Sequence, residues 1–247
     1  MRNSERVALV TGCSQAGGIG VEVCKQLAEN GITVFLTARD GTKAKDHADN
    51  LAGKGLDVYP HALDITSAES VDAIIQTIQK RTGRLDILVN NATGAMRDTA
   101  PVSATPLEGA QQVVNVTLFG TWRMTQAALP LLRDSANASI VNVSSTSGLH
   151  SDDALGLRSK RPSVTGPSYD IAKTALNALT VKVACELEHS NIKVNAVCPG
   201  FTATKPGMKE RGARPVAEGA AGIVWAALLD EEGPSGGFYR DEKRQAW

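Results

Sequence analysis

Short runs of apolar, often β-branched residues alternate with longer amphipathic stretches along most of the chain, and this alternation limits the folds that are open to it. The apolar runs lie at residues 7–10, 33–37, 56–65, 87–89, 140–143 and 194–197. Apolar residues at helical spacing follow several of them, for example over residues 67–81 and 169–188. Such a pattern favours a mostly parallel sheet with helices on both faces and right-handed crossovers. The predicted fold class is therefore α/β, a single Rossmann-type doubly wound domain over residues 1–247.

Local signals place several element ends. A helix is expected from Ile19, with Asn30-Gly31 as its stop. A second helix is expected over residues 67–81, with Thr66 or Ser67 as its cap. Further helices are predicted around Asn115 and over 216–229, and residues 237–239 are expected to form a short edge strand. Residues 150–167 are polar and break the alternation, so they are interpreted as a long surface loop inserted beside the functional site.

Charge and cysteine usage exclude several classes of function. The chain has 26 basic and 26 acidic residues, which favours neither nucleic acid nor an anionic membrane as a partner. The four cysteines, Cys13, Cys24, Cys185 and Cys198, show no metal-ligand or redox spacing, so no metal site is expected and all four are interpreted as buried free thiols in a reducing compartment. No apolar run suits a signal peptide or a membrane span, and a cytoplasmic location is expected.

A glycine-rich turn follows the first strand and precedes the first helix. It runs from Gly12 through Ser14 to Gly18-Ile19-Gly20. Glycines allow a tight turn and a close approach of the backbone to a pyrophosphate, and the helix N-terminus offers N–H groups to phosphate oxygens. Between a strand and a helix of an α/β chain, this turn predicts dinucleotide binding.

The end of the second strand bears on the choice of cofactor. Ala38 stands where an acid would bind the adenosine ribose of NAD, and Arg39, which can pair with a 2′-phosphate, comes next. NADP is therefore favoured over NAD. NAD remains the alternative, because Asp40 would be the acid that binds the ribose if the expected position of that acid were shifted by two residues from Ala38.

A set of motifs in fixed order resembles the short-chain dehydrogenase/reductase family over essentially the whole chain. The matching elements are the glycine turn, Asp64-Ile65, Asn90-Asn91-Ala92, Asn115, Ser144-Ser145, Tyr169-x-x-x-Lys173 and Pro199-Gly200. The resemblance implies an enzyme that moves a hydride between a nicotinamide cofactor and a carbonyl or alcohol.

The same resemblance implies a role for each matching residue. Tyr169 would be the general acid/base, Lys173 would lower the pKa of Tyr169 and bind the nicotinamide ribose, Ser145 would hold the substrate oxygen, and Asn115 would complete a proton relay. The cofactor would also contact the remaining matching positions, namely Asp64, Ile65, Asn91, Ala92, Pro199, Gly200, Thr202 and Thr204.

Elementary chemistry supports the central pair independently. Tyr169 and Lys173 are four residues apart on a predicted helix and therefore share a face. A free tyrosine titrates near pH ~10, and a neighbouring ammonium lowers that pKa. A hydroxyl such as that of Ser145, at the end of a strand, can donate to a developing alkoxide.

The chain departs from the common family pattern in ways that bear on partners. The glycine turn is longer than usual, and the insertion at 150–167 resembles that of the carbonyl-reductase branch. A dimer or tetramer is compatible with the small residues of the helix that follows Tyr169. Basic residues in and after the insertion could meet an acidic carrier protein that holds the substrate, although solvated loop charges are the simpler interpretation; they are Arg158, Lys160, Arg161, Lys205, Lys209 and Arg211.

The leading hypothesis is an NADP-dependent ketoreductase or carbonyl reductase that acts on a small-molecule substrate. The main alternative is a catalytically silent, cofactor-sensing regulatory protein of the same fold. The presence of Ser145, Tyr169 and Lys173 argues against the alternative, because a sensor does not need a proton donor.

Overall fold

A computed structural model describes residues 6–94, 100–159 and 166–247. Its centre is an eight-stranded sheet in the order β3-β2-β1-β4-β5-β6-β7-β8, parallel except for the last pair. The strands are β1 Val7–Val10, β2 Thr33–Ala38, β3 Val58–Ala62, β4 Ile87–Asn90, β5 Ala138–Val143, β6 Ile192–Val197, β7 Phe238–Arg240 and β8 Lys243–Gln245. The doubly wound α/β fold expected from the alternation is confirmed.

Seven α-helices in the described ranges connect the strands. They are α1 Ile19–Glu29, α2 Gly41–Ala52, α3 Ala68–Arg81, α4 Leu107–Val114, α5 Thr121–Arg133, α6 Pro167–Glu186 and α7 Val216–Ala227. A π-helical turn, Asn115–Gly120, lies between α4 and α5 and joins them into one long element. Ser67 caps α3 through its side chain, and Asn30 ends α1, both as predicted.

Apolar side chains cover both faces of the sheet. In β1, Ala8 and Val10 pack into one cluster with α1, α2 and α7, whereas Val7 and Leu9 pack into a second cluster with α3, α5 and α6. A strand that is buried on both faces needs apolar residues at every position, which explains its continuous apolar run.

Three expectations need correction. Residues 237–239 were expected to form the edge strand, but β7 pairs with β6 on one side and with β8 on the other. The edge strand is therefore β8, which runs antiparallel to β7. Helix α2 had no predicted counterpart, because it is mostly polar and buries only Ala44, Ala48 and Leu51. Cys185 is exposed, whereas Cys13, Cys24 and Cys198 are buried.

The described part of the predicted insertion is irregular. Residues 150–159 form turns outside any helix or strand, and residues 160–165, including Lys160 and Arg161, lie outside the described part of the chain. Asp152 accepts from the amides of Ala154 and Leu155, and Ser151 Oγ donates to the carbonyl of Ala246 over 2.7 Å. The loop is therefore tied to the C-terminal segment.

No helix within the described ranges is both long and apolar enough to cross a membrane.

Candidate functional site

Two neighbouring cavities open at the carboxyl ends of the parallel strands. The glycine-turn cavity, of about 540 Å³, lies at the ends of β1 to β4. The tyrosine cavity, of about 600 Å³, lies beside Tyr169 and the ends of β5 and β6. Ile19 and Thr204 line both, so the two cavities are adjacent and share part of their walls. Ligands of open α/β sheets bind at this edge, where the strand order reverses.

The structure brings most of the predicted cofactor residues together in the glycine-turn cavity. Those that line it are Gly12, Ser14, Gly18, Ile19, Gly20, Arg39, Asp64, Ile65, Asn91, Ala92 and Thr204. Pro199, Gly200 and Thr202 line the tyrosine cavity, together with Ile19 and Thr204. The predicted cofactor residues are thus divided between two adjacent cavities.

Two glycines of the turn are required by close contacts. Gly12 has φ +78°, and a Cβ there would lie 2.5 Å from Cα of Ala92. A Cβ on Gly20 would lie 2.6 Å from Nδ2 of Asn91, which donates to the carbonyls of Thr11 and Gly12 at 2.8 and 3.1 Å. The turn and the loop after β4 are therefore packed backbone to backbone.

Helix α1 begins at this cavity. Its N-cap, Gly18, provides no side-chain hydrogen bond, so the first amides of the helix have no capping side chain there. The first amides of α1 and the backbone of the glycine turn fit the pyrophosphate of a dinucleotide. Gln15 Nε2 donates to the carbonyl of Thr204, which links the turn to the segment after β6.

Arg39 and Asp40 have separate positions. Arg39 lines the glycine-turn cavity, whereas Asp40 caps α2 by accepting from the amides of Thr42 and Lys43 at 3.0 and 3.3 Å. The alternative in which Asp40 binds the ribose loses support, because Oδ1 of its carboxylate is engaged in this cap. Hydrogen bonds from Thr66 lower the pKa of Asp64, and Arg39 contributes to the same shift.

Ser145 and Tyr169 meet in the wall of the tyrosine cavity. The amide and hydroxyl of Ser147 approach Ser145 Oγ at 3.2 and 3.0 Å, which leaves the Ser145 proton free to donate. Burial raises the pKa of Tyr169, nearby Cys198 and Asp170 raise it further, and the side-chain hydrogen bond with Ser145 lowers it. Tyr169 is therefore held protonated at neutral pH.

Lys173 lies one helical turn behind Tyr169 and is only 2% exposed. Its Nζ donates to the carbonyl of Val143 over 2.7 Å and lies 5.4 Å from the centroid of the Tyr169 ring. Burial lowers the pKa of Lys173 to about 7. Lys173 was expected to lower the pKa of Tyr169. In this structure the pKa of Tyr169 is raised instead, because burial disfavours the charged form of both side chains.

Asn115 is not brought to this group. It is exposed, begins the π-helical turn and lines neither cavity. The structure thus places Ser145, Tyr169 and Lys173 together at the end of β5 and the start of α6, whereas Asn115 is exposed and outside the lining of both cavities.

Sequence reasoning missed several residues of the site. Gly109, Gln112, Val113 and Val116 line the glycine-turn cavity from α4 and the π-helical turn. Their helical spacing could have indicated one shared face, but not which cavity that face borders. Arg240, on the lining of the tyrosine cavity, was missed as well, whereas the apolar wall of that cavity comes from segments expected beside the substrate; its residues are Leu155, Leu157, Phe201 and Met208, with Arg211 also on the lining.

Asn177 was also missed, although it holds the loop that carries Ser145. It accepts from Ser144 Oγ over 2.5 Å and donates to the carbonyl of Gly148 over 3.2 Å. A Cβ on Gly148 would lie 2.7 Å from the backbone of Lys173, so the loop and α6 are in direct contact.

Comparisons with known proteins show the family that the chain is similar to. Residues 6–214 match the family model described as short chain dehydrogenase. A (+)-neomenthol dehydrogenase from Arabidopsis thaliana is 31% identical, with 95% of each chain covered. A short chain dehydrogenase from Mycobacterium smegmatis superposes with TM-score 0.81 at 30% identity, over 98% of this chain and 94% of the other. A metagenomic short-chain oxidoreductase in complex with NADP gives TM-score 0.76 at 26% identity, with 93% of each chain covered.

Proposed function

The chain belongs to the short-chain dehydrogenase family, an oxidoreductase family, and we propose that it is an NADP-dependent reductase of carbonyl compounds, with the reverse alcohol oxidation as its other direction. The observation that carries the proposal is the adjacency of the two cavities, which share Ile19 and Thr204 as wall residues. It allows a dinucleotide in the glycine-turn cavity to extend beside the Ser145–Tyr169 pair.

The dinucleotide would be held by groups that the described chain already presents. The uncapped amides of α1 would bind its pyrophosphate, Asp64 and Ile65 would flank its adenine, and Arg39 would pair with a 2′-phosphate. The NADP complex of a structural relative supports this preference. When bound, the nicotinamide supplies or accepts the hydride.

The remaining chemistry is proton transfer by the chain itself. Ser145 would donate a hydrogen bond to the substrate oxygen, since Ser147 occupies its acceptor side. Tyr169 would give its proton to the same oxygen as negative charge develops there, and its raised pKa keeps that proton in place beforehand. Lys173, anchored on Val143, would stabilise the resulting phenolate.

The tyrosine cavity suggests the kind of substrate. Its apolar wall, from Leu155, Leu157, Phe201 and Met208, suits a ketone or secondary alcohol on an apolar body. The relative named (+)-neomenthol dehydrogenase is consistent with such a compound. A carrier-bound thioester is the second substrate class to test, because Arg211 and Arg240 also line this cavity.

The test is NADPH and NADH oxidation by the purified protein against a panel of apolar ketones, diketones and carrier-bound thioesters. We expect turnover with NADPH and a loss of kcat of about 10²- to 10⁴-fold in Tyr169→Phe. Tight NADPH binding without turnover on any substrate would favour the silent sensor. Full turnover in Tyr169→Phe would contradict the proposed proton donor.

A further inference from the structure

The π-helical turn Asn115–Gly120 contacts both loops that flank the glycine-turn cavity. On one side, the Thr117 hydroxyl accepts from the amide of Gly94 over 3.0 Å and lies 3.1 Å from Oγ1 of Thr93. Thr93 and Gly94 line the cavity directly after Asn91 and Ala92. Thr117 itself is 0% exposed.

On the other side, the turn meets the segment after β3. A Cβ on Gly120 would lie 2.6 Å from Cγ1 and 2.7 Å from Cδ1 of Ile65, a lining residue of the same cavity. One π-helical turn therefore contacts two separate segments of the wall. π-Helical turns within longer helices are frequently found at functional sites.

The turn also determines which polar residue points into the protein. Asn115, which is exposed, is only two positions from Thr117, which is fully buried and hydrogen bonded to a cavity loop. Motif matching alone selects Asn115, because an asparagine is expected in this region. The contacts instead identify Thr117 as the polar residue of the turn that reaches the site.

We infer that Thr117 is a positioning residue of the cofactor site and that its hydroxyl, rather than the amide of Asn115, is the polar group of this turn on which cofactor binding depends. This inference rests on the proposed function. The Gly94 amide is buried in its bond to Thr117, and without an acceptor it would remain unsatisfied. Gly94 also has little room to move, since a Cβ there would lie 2.6 Å from Cα of Val113, another wall residue.

The experiment compares Thr117→Val, which keeps the shape and removes the acceptor, with Thr117→Ser, which keeps the hydroxyl. Thr125→Val is the matched control, because Thr125 is 3% exposed, lies on the adjoining helix and donates to the carbonyl of Thr121, outside the cavity lining. The readouts are the Kd of NADPH by fluorescence titration, the KM of NADPH, kcat and Tm.

We expect Thr117→Val to weaken NADPH binding about tenfold, since an unsatisfied buried donor has an effect of this order. Thr117→Ser should restore most of the affinity, and Thr125→Val should lower Tm with little change in the Kd of NADPH. A Kd in Thr117→Val equal to that of Thr125→Val would overturn the inference. So would a larger rise in Kd for Asn115→Ala than for Thr117→Val.

These outcomes are distinct from a failure of the proposed function. Wild-type protein that binds NADPH without turnover would contradict the proposed reaction, yet the Kd series would still test Thr117. Wild-type protein that binds neither NADPH nor NADH would contradict both.

Discussion

The Nζ of Lys173 donates to the main-chain carbonyl of Val143 over 2.7 Å, and this bond joins the helix of Tyr169 to the strand that leads to Ser145. The ammonium is held in an almost completely buried position. The cost of that burial lowers the pKa of Lys173 to about 7, so its charge is sensitive to pH near neutrality.

The first prediction follows from this buried charge. Lysine in the unfolded chain titrates near ~10.4, so between pH ~7 and ~10 the unfolded state binds more protons at this position and stability rises with pH. The free energy of unfolding of the wild type, minus that of Lys173→Met, should therefore increase by a few kcal/mol between pH ~6 and ~10. Urea denaturation without cofactor measures this difference. A difference that stays constant with pH would show that Lys173 titrates normally.

The second prediction concerns the contact between Gly12 and Ala92. Gly12→Ala should weaken NADPH binding by at least about tenfold, because the new Cβ pushes the glycine turn away from the loop after β4. Gly17→Ala is the matched control: Gly17 has φ +65°, similar to the +78° of Gly12, but a Cβ there meets nothing within 4 Å. Both variants carry backbone strain of about 1–2 kcal/mol, and only Gly12→Ala adds the collision. Equal affinities in a calorimetric titration would argue against this contact as the determinant.

The third prediction concerns Arg39. Removing its guanidinium in Arg39→Leu should lower the ratio of kcat/KM for NADPH to that for NADH by about ten- to a hundredfold, because a 2′-phosphate loses its charge-assisted partner. Lys43→Leu removes the same charge from α2 at a position outside the cavity lining, and it should keep the ratio. If both variants lower the ratio equally, the preference is a long-range charge effect.

The fourth prediction concerns Asn177, which joins Ser144 and Gly148 to α6. Asn177→Leu should reduce kcat by about ten- to a hundredfold through misplacement of Ser145. It should also destabilise the fold by about 1–3 kcal/mol, since Ser144 loses a buried partner. Thr180→Val, on the same helix, loses a bond to Asn142 away from this loop and should lower Tm with a smaller effect on kcat. Matching kcat values for the two variants would reduce Asn177 to a purely structural role.

Sequence reasoning determined the parts of this protein that depend on local pattern. Continuous apolar runs predict strands buried on both faces, and the alternation with helices predicts the parallel sheet. The spacing of Tyr169 and Lys173 requires only that both lie on one helix, which α6 confirms. The position of the glycine turn between β1 and α1 likewise follows from chain order alone.

The tertiary structure decided what depends on burial and on contacts between distant segments. Arg39 and Asp40 are adjacent in sequence, yet one lines the cavity and the other caps a helix. A π-helical turn buries Thr117 and exposes Asn115, a difference that periodicity based on regular helices does not predict. The pKa of Lys173 depends on how much water the folded chain excludes around it, and residue spacing carries no measure of that desolvation.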